Sequence, residues 1–426
     1  MLELDRIDIG AEEQESLFVT LAPYRATLQL LRRTPAEDAP EYSLTLPDVA
    51  GAAERAAAYA AQYAGVEMLF LVGIGGSNLG ALSVHQAVFG TQANLLRTPQ
   101  LIPVDTIDGV LASQAVQLLE DAVRTKRRVL LVVASKSGST TETVANAELL
   151  VSALVAAGGS IQDSVVVVSD EGSALSELAR QRHVPTVHSP KTVGGRYSVF
   201  SDVGLLPLAV LGVPTGQLLD GGRAALDTGL SDDYRANAAA QHAIAMYAGF
   251  KAGKPIHDLF CFSPSLELYG KWFRQLTGES VGKSATAGIF PSVSVGSTDL
   301  HSVAQLYLSG PDTAFTTFVR IRSNAGITLP GESIFASLVP NLTGQPLQAV
   351  SDAILDGTRH AYANAGRTYC TLTLPRLDAR SVGEAMQQHM LTMMYLAQLL
   401  GVDAFDQPAV ELYKKETRRI LAESSR

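Results

Sequence analysis

Short, dense apolar runs that end in glycine- or serine-rich turns constrain this chain most. Residues 67–74 (EMLFLVGI), 128–134 (RVLLVVA) and 164–169 (SVVVVS) are too short for a buried helix. They are also too apolar for a strand with one wet face, so they read as strands covered on both sides. Helical spacing follows each of them, over 77–89, 140–157 and 173–182, and an alanine-rich amphipathic stretch, 49–64, precedes the first. Strands alternating with helices of this length imply βαβ units and a parallel sheet. The alternation then repeats. Helices are expected over 233–252, 265–277, 352–365, 381–400 and 408–421, and strands over 255–262, 314–322 and 368–374. Between the two series, 211–222 (LGVPTGQLLDGG) carries a proline and four glycines and reads as a domain boundary. The expected division is a helical segment, 1–45, then two α/β domains, 46–212 and 213–426. Each is a doubly wound α/β unit with a mainly parallel sheet flanked by helices.

The chain's 426 residues suffice for two cores, and 46 % hydrophobic with 18 % charged residues fits a globular protein. The net charge of −9 comes from acidic and basic residues mixed along the chain, which does not build a nucleic-acid surface. Two cysteines, Cys261 and Cys370, cannot make a disulfide framework, and no Cys/His metal spacing exists. The acidic start, MLELDRIDIGAEEQESL, lacks a signal-peptide layout, and no apolar run approaches the ~20 residues of a membrane span. A soluble cytoplasmic protein is expected, with no nucleic-acid or membrane partner.

Six segments carry chemistry. Gly73–Gly80 (GIGGSNLG) joins a strand to a helix, where glycines admit a close ligand and the helix start favours an anion. It breaks the dinucleotide fingerprint, because Asn78 stands at the third glycine position. A plain tight turn is the competing reading. Ser135–Thr143 (SKSGSTTET) also opens a helix, and six of its nine residues carry hydroxyls. Ser139 and Glu142 have capping-box spacing, but one hydroxyl suffices for a cap, and the surplus suits a phosphoryl group. The P-loop pattern is absent.

Gly194-Gly195-Arg196 lets the backbone bend and point a permanent cation into a cleft, although a surface arginine in a turn has the same spelling. In the helix 265–277 and its continuation, Gln275 and Glu279 are four apart and share a face with Leu268 and Trp272. A carboxylate at the end of an apolar stripe is desolvated towards the proton affinity of a base. An ordinary helix-terminal Glu is the alternative. His301 closes a Gly/Ser/Thr-rich run leading into a helix, and partial burial is expected to keep it titrating near working pH. No ligand partner lies at zinc spacing, so no metal is expected. Finally, Gln407, Glu411 and Lys414 share one face of a last helix opened by Pro408.

In register, GIGGSNLG, SKSGSTTET, GGRYSVFSDVGLLPLA, WFRQLTGESVGK, DLHSVAQ and FDQPAVELYK resemble phosphoglucose isomerases, which interconvert glucose 6-phosphate and fructose 6-phosphate in glycolysis and gluconeogenesis. The likeness runs from about residue 70 to 415 and favours the compact bacterial forms. It implies two sugar-isomerase domains, the first binding phosphate, an enediol or enediolate intermediate, and no cofactor. It implies a hexose 6-phosphate substrate and a homodimer with shared active sites. By resemblance, Ser135, Lys136, Ser137 and Thr140 hold the phosphate, while Gly76 and Ser77 touch the sugar. Gln275 and Gln407 are further substrate ligands. Glu279 is the base, Arg196 stabilises the intermediate, and His301, from the neighbouring subunit, opens the ring with Lys414.

The chain departs from the usual spelling at Ser137 and Ser139, where threonines are common, and at Val281, Ala409 and Tyr413. These differences bear on substrate preference and packing. Three rivals remain from the sequence: an isomerase that takes mannose 6-phosphate, a sugar-phosphate sensor without chemistry, and a nicotinamide dehydrogenase.

Overall fold

The computed structural model describes residues 2–5, 9–323, 326–332 and 334–424, and ten strands run through them. They are β1 (Glu3–Asp5), β2 (Met68–Val72), β3 (Gln100–Val104), β4 (Val129–Ala134), β5 (Val165–Asp170), β6 (Thr186–Ser189), β7 (Ile256–Cys261), β8 (Phe290–Val295), β9 (Ala314–Ser323) and β10 (Tyr369–Arg376). The first sheet has the order β3-β2-β4-β5-β6 and is parallel throughout. The second has the order β1-β10-β9-β7-β8, with only β1 antiparallel.

Every strand expected from the sequence, β2, β4, β5, β7, β9 and β10, lies inside a sheet. The four unread strands, β1, β3, β6 and β8, are the four edges. An interior strand buries both faces and must be apolar throughout, which makes it legible. Met68, Phe70 and Val72 enter one core with Leu131 and Val133, while Leu69 and Leu71 point into the other with Leu130 and Val132. An edge tolerates proline because one side of its backbone needs no ladder partner. Pro103 in β3 and Pro291 in β8 therefore masked strands that an edge can accommodate.

The glycine-rich stretch read as a boundary is largely helix, Thr215–Gly229, packed on the long helix Ala379–Leu400. A Cβ on Gly221 would collide with the Arg380 carbonyl, and one on Gly383 with the Leu218 carbonyl. The glycines thus let two buried helices cross at backbone distance. The leading residues expected to be helical do form the helices Ala11–Thr20 and Ala22–Arg33, but they also add β1 to the second sheet.

In the first sheet the chain winds from β2 one way to β3 and from β4 the other way to β5. The loops leaving β2 and β4 therefore diverge and open a crevice at the carboxyl ends of the strands. These loops are 73–78 and 135–140. The helix Glu267–Val281 docks beside them on the helix Leu79–Phe89, where Ser83 Oγ donates to the Leu268 carbonyl at 2.7 Å and Leu268 N–H to Gln86 Oε1 at 2.9 Å. Trp272, Phe273 and Leu276 bury the inner face of that helix and leave its last turn at the crevice. No helix among the described residues is long and apolar enough to cross a membrane.

Candidate active site

At the centre is Arg196, only 1 % exposed. A buried guanidinium is tolerated only if its donors are met, and all five are. Nε donates to Ser280 Oγ at 3.0 Å, and Nη1 to Glu279 Oε2 at 3.1 Å and Gln407 Oε1 at 3.0 Å. Nη2 donates to the Ala404 carbonyl at 2.6 Å and the Asp406 carbonyl at 3.4 Å. Glu279 receives a second donor, Gln275 Nε2 to Oε1 at 3.0 Å, which sets the plane of the carboxylate. Trp272 Nε1 donates to the Arg196 carbonyl at 3.1 Å, and the Tyr197 hydroxyl lies 2.8 Å from Ser280 Oγ. Lys283 pairs with Asp406 Oδ1 at 2.8 Å and ties the 403–407 segment down.

The environment of Glu279 therefore differs from the sequence expectation. Its side chain is 28 % exposed and held by a cation and an amide, not sealed in an apolar stripe. The stripe faces inward instead, because Trp272 spends its N–H on the Arg196 backbone. The glycines around Arg196 also act differently. Gly194 and Gly195 have ordinary negative-φ geometry or a tight helical turn, so no unusual bend is needed. A Cβ on Gly76 would lie 2.5 Å from Arg196 N and from Gly195 Cα. Gly76 and Gly195 are small because two loops touch backbone to backbone there. That contact welds the loop after β2 to the arginine.

The hydroxyl-rich loop lies across the crevice. Ser77, Ser135, Lys136, Gly195 and Ser198 line one small cleft. Ser135 Oγ and Thr140 Oγ1 are 3.2 Å apart and converge, and Ser137 is exposed. The capping box expected from Ser139 and Glu142 does not form. The helix Thr141–Ala156 has Thr140 at its N-cap with no side-chain cap, while Ser139 N–H turns to Ser137 Oγ at 3.3 Å. Donors at this helix start are thus left for a guest. Burial lowers Lys136, opposed by Asp170 and reinforced by Arg196. Burial pushes Asp170 up to about 6 against the pull of Lys136 and Lys191.

Two residues take no part in this network. His301 ends the short helical turn Thr298–His301 and is exposed, contrary to the expected partial burial, because it crowns a surface turn past the edge strand β8. Lys414 lies on the helix Val410–Ser424 and pairs with Glu411 at 2.8 Å, which lowers Glu411. Among the described residues, no hydrogen bond or ion pair links either to Glu279 or Arg196. Gln407 precedes that helix instead of sharing its face, since the helix begins only at Val410, and this frees its amide to reach Arg196. Sequence reasoning missed Ser280, Tyr197, Lys283 and Asp406. All four lie inside the quoted motifs, Tyr197 in GGRYSVFSDVGLLPLA, Ser280 and Lys283 in WFRQLTGESVGK and Asp406 in FDQPAVELYK, but nothing in the spelling gave them a role. Among the described residues, no group of three or more His, Cys, Asp or Glu is arranged to hold a metal ion.

Two mainly parallel α/β sheets, with a carboxylate–arginine pair beside a hydroxyl-rich helix start at a strand-order switch, define a protein of the sugar-isomerase class. The family model described as Phosphoglucose isomerase matches residues 54–301, and the chain belongs to that family, whose members interconvert glucose 6-phosphate and fructose 6-phosphate. A probable glucose-6-phosphate isomerase of Natronomonas pharaonis is 34 % identical over 355 residues, covering 83 % of this chain and 79 % of the relative. The glucose-6-phosphate isomerase of Symbiobacterium thermophilum is 34 % identical over 365 residues, covering 83 % and 80 %. Among solved structures, a hypothetical protein of Thermus thermophilus superposes with a TM-score of 0.85 at 29 % identity, covering 99 % of this chain and all of that one. A glucose-6-phosphate isomerase of Chlamydia trachomatis has the same fold, with a TM-score of 0.82 at 20 % identity over 100 % and 88 %.

Proposed function

We propose that this chain performs the family's aldose–ketose isomerisation with Glu279 as the proton-transferring base and Arg196 as the fixed countercharge. The observation that carries this reading is the 3.1 Å pair between them, set beside the 73–78 and 135–140 loops. Ser135, Lys136, Ser137 and Thr140 grip the phosphate and so place carbons one and two of the sugar over the carboxylate, with Gly76, Ser77, Gln275 and Gln407 completing the site. Glu279 removes the proton from carbon two and returns it to carbon one. Negative charge on the enediolate oxygen is opposed by the Arg196 guanidinium, already oriented and shielded from water.

Ring opening needs a further acid–base pair. We assign it to His301 and Lys414, with His301 serving the site of the neighbouring copy in a homodimer. The exposure of His301, and the lack among the described residues of any hydrogen bond or ion pair from it to Glu279 or Arg196, support that assignment. Two free, buried cysteines favour a reducing, cytoplasmic setting for this step of glycolysis and gluconeogenesis. We further propose 1–45, 46–212 and 213–426 as a leading helical segment and two sugar-isomerase domains.

A coupled assay for glucose 6-phosphate formed from fructose 6-phosphate, run with EDTA, tests the activity. Glu279→Gln keeps the size and one acceptor oxygen for Arg196 but cannot take the proton, so kcat falls by about 10²- to 10⁴-fold with KM changed far less. Turnover near the wild-type rate in this variant excludes Glu279 as the base.

A further inference from the structure

The phosphate loop is held from behind by a second turn. Ser169, at the carboxyl end of β5 and 1 % exposed, donates from Oγ to the Ser135 carbonyl at 2.6 Å, with the Lys136 carbonyl at 3.4 Å. Its Oγ also lies 2.7 Å from Ser173 Oγ. Ser173 is the N-cap of the helix Ala174–Gln181 and accepts from Ser176 N–H at 3.1 Å. A hydroxyl has one proton, so the direction of the chain follows. Ser169 spends its proton on Ser135, and Ser173 must therefore donate to Ser169. The bonds run one way, from the helix start through two hydroxyls to the Ser135 carbonyl, and each polarises the next.

This anchor has a consequence for the loop. In a planar trans peptide the C=O and the following N–H point in opposite directions. With the Ser135 carbonyl drawn back to Ser169, and the Lys136 carbonyl drawn back to Ser169 and to Asp170 N–H at 3.4 Å, the N–H groups of Lys136 and Ser137 face the other way. Among the described residues neither N–H has a partner. Two successive N–H groups pointing outward form an anion-binding concavity. Gly138, at φ +68°, is seated on the same brace. A Cβ there would lie 2.6 Å from Leu175 N and 3.1 Å from Ser173 Oγ.

We propose that Ser169 and Ser173 are positioning residues that aim the Lys136 and Ser137 backbone N–H groups at the phosphate of the substrate. The inference rests on the reading of 135–140 as the phosphate loop. It predicts a defect in anion affinity and not in proton transfer. The test uses the full-length protein, as wild type, Ser169→Ala and Ser173→Ala. Calorimetry measures the Kd for inorganic phosphate, and the coupled assay measures KM and kcat with fructose 6-phosphate. Loss of the anchor weakens phosphate binding and raises KM together by about 5- to 30-fold, with kcat changed by less than about threefold. An unchanged phosphate Kd in a folded variant overturns the proposal, as does a wild type that binds no phosphate. If Ser169→Ala does not fold, Ser173→Ala, at a less buried position, decides alone. Phosphate binding that weakens as expected in a protein without isomerase turnover would retain the brace and reject the proposed activity.

Discussion

Gly76→Ala is the sharpest perturbation of this site, because it adds one methyl group where two loops touch. The new Cβ would sit 2.1 Å from the Gly195 carbonyl carbon and 2.5 Å from Arg196 N, whereas ordinary van der Waals contact begins at 3.4 Å. The loops must therefore part by about 1 Å or more. Neither side yields easily. The Arg196 guanidinium is pinned by five hydrogen bonds to the last turn of the 267–281 helix and the 404–407 segment, and the Gly76 loop follows an interior strand. Overpacking of this kind costs about 1–3 kcal/mol of stability. A 1 Å displacement of Arg196 relative to the phosphate loop costs about 10²-fold in kcat/KM. Denaturant melts and the coupled assay measure the two effects. Gly357→Ala is the control, since nothing lies within 4 Å of its added methyl in the helix Leu347–Asn364. There alanine should stabilise by about 1 kcal/mol and leave activity unchanged. A fully active Gly76→Ala would refute the argument that backbone contact with Gly195 sets the position of the arginine.

Arg196→Lys keeps the charge but can satisfy at most three of the five acceptors, so kcat/KM should drop by about 10²-fold or more and stability should fall measurably; equal activity would show that charge alone suffices. A separate test concerns three histidines buried together outside the site. His242 and His257 both reach Thr317 Oγ1, at 2.9 and 2.8 Å, and His389 packs 5.3 Å from His242. Burial lowers His242 to about 3 and drives His257 and His389 well below 6.5, so all three stay neutral in the fold. The unfolded chain takes up their protons below 6.5. Stability is therefore complete above that pH and declines below it, by about 1.4 kcal/mol per pH unit for each histidine. Their other neighbours, Tyr269, Phe273, Phe315 and Cys370, carry no charge in that range; burial raises the Tyr269 phenol well above its usual value. His389→Leu should flatten the slope of unfolding free energy against pH between about 6.5 and 5 by roughly that 1.4 kcal/mol per unit, and an unchanged slope would reject the neutral-histidine account.

How legible each part was depended on how many surfaces constrained it. Residues 128–134 could be nothing but an interior strand, because both faces meet a core. Gln100–Val104, with Pro103, and Phe290–Val295, with Pro291, were ambiguous because an edge asks less of its residues. Glycine was the least reliable sign. The glycines of 211–222 suggested a domain boundary and lie largely in a helix that crosses another at backbone distance, and Gly76, read as a place of ligand approach, also admits the Gly195 backbone. Both uses exploit the absent Cβ, which a sequence records without saying what fills the space.

Residue type and local spacing determined on their own the alternating α/β design, the surplus of hydroxyls at a helix start, and the kinship carried by six motifs. These depend on neighbours a few positions apart, and periodicity reports them directly. Tertiary structure alone decided that Arg196 spends its five donors on Glu279, Ser280, Gln407 and two carbonyls, that Glu279 is held and not sealed, and that His301 stands outside. Those contacts join residues 83 to 211 positions apart. They exist only because the 267–281 helix docks on the 79–89 helix, and long-range contact of that kind leaves no period in the chain.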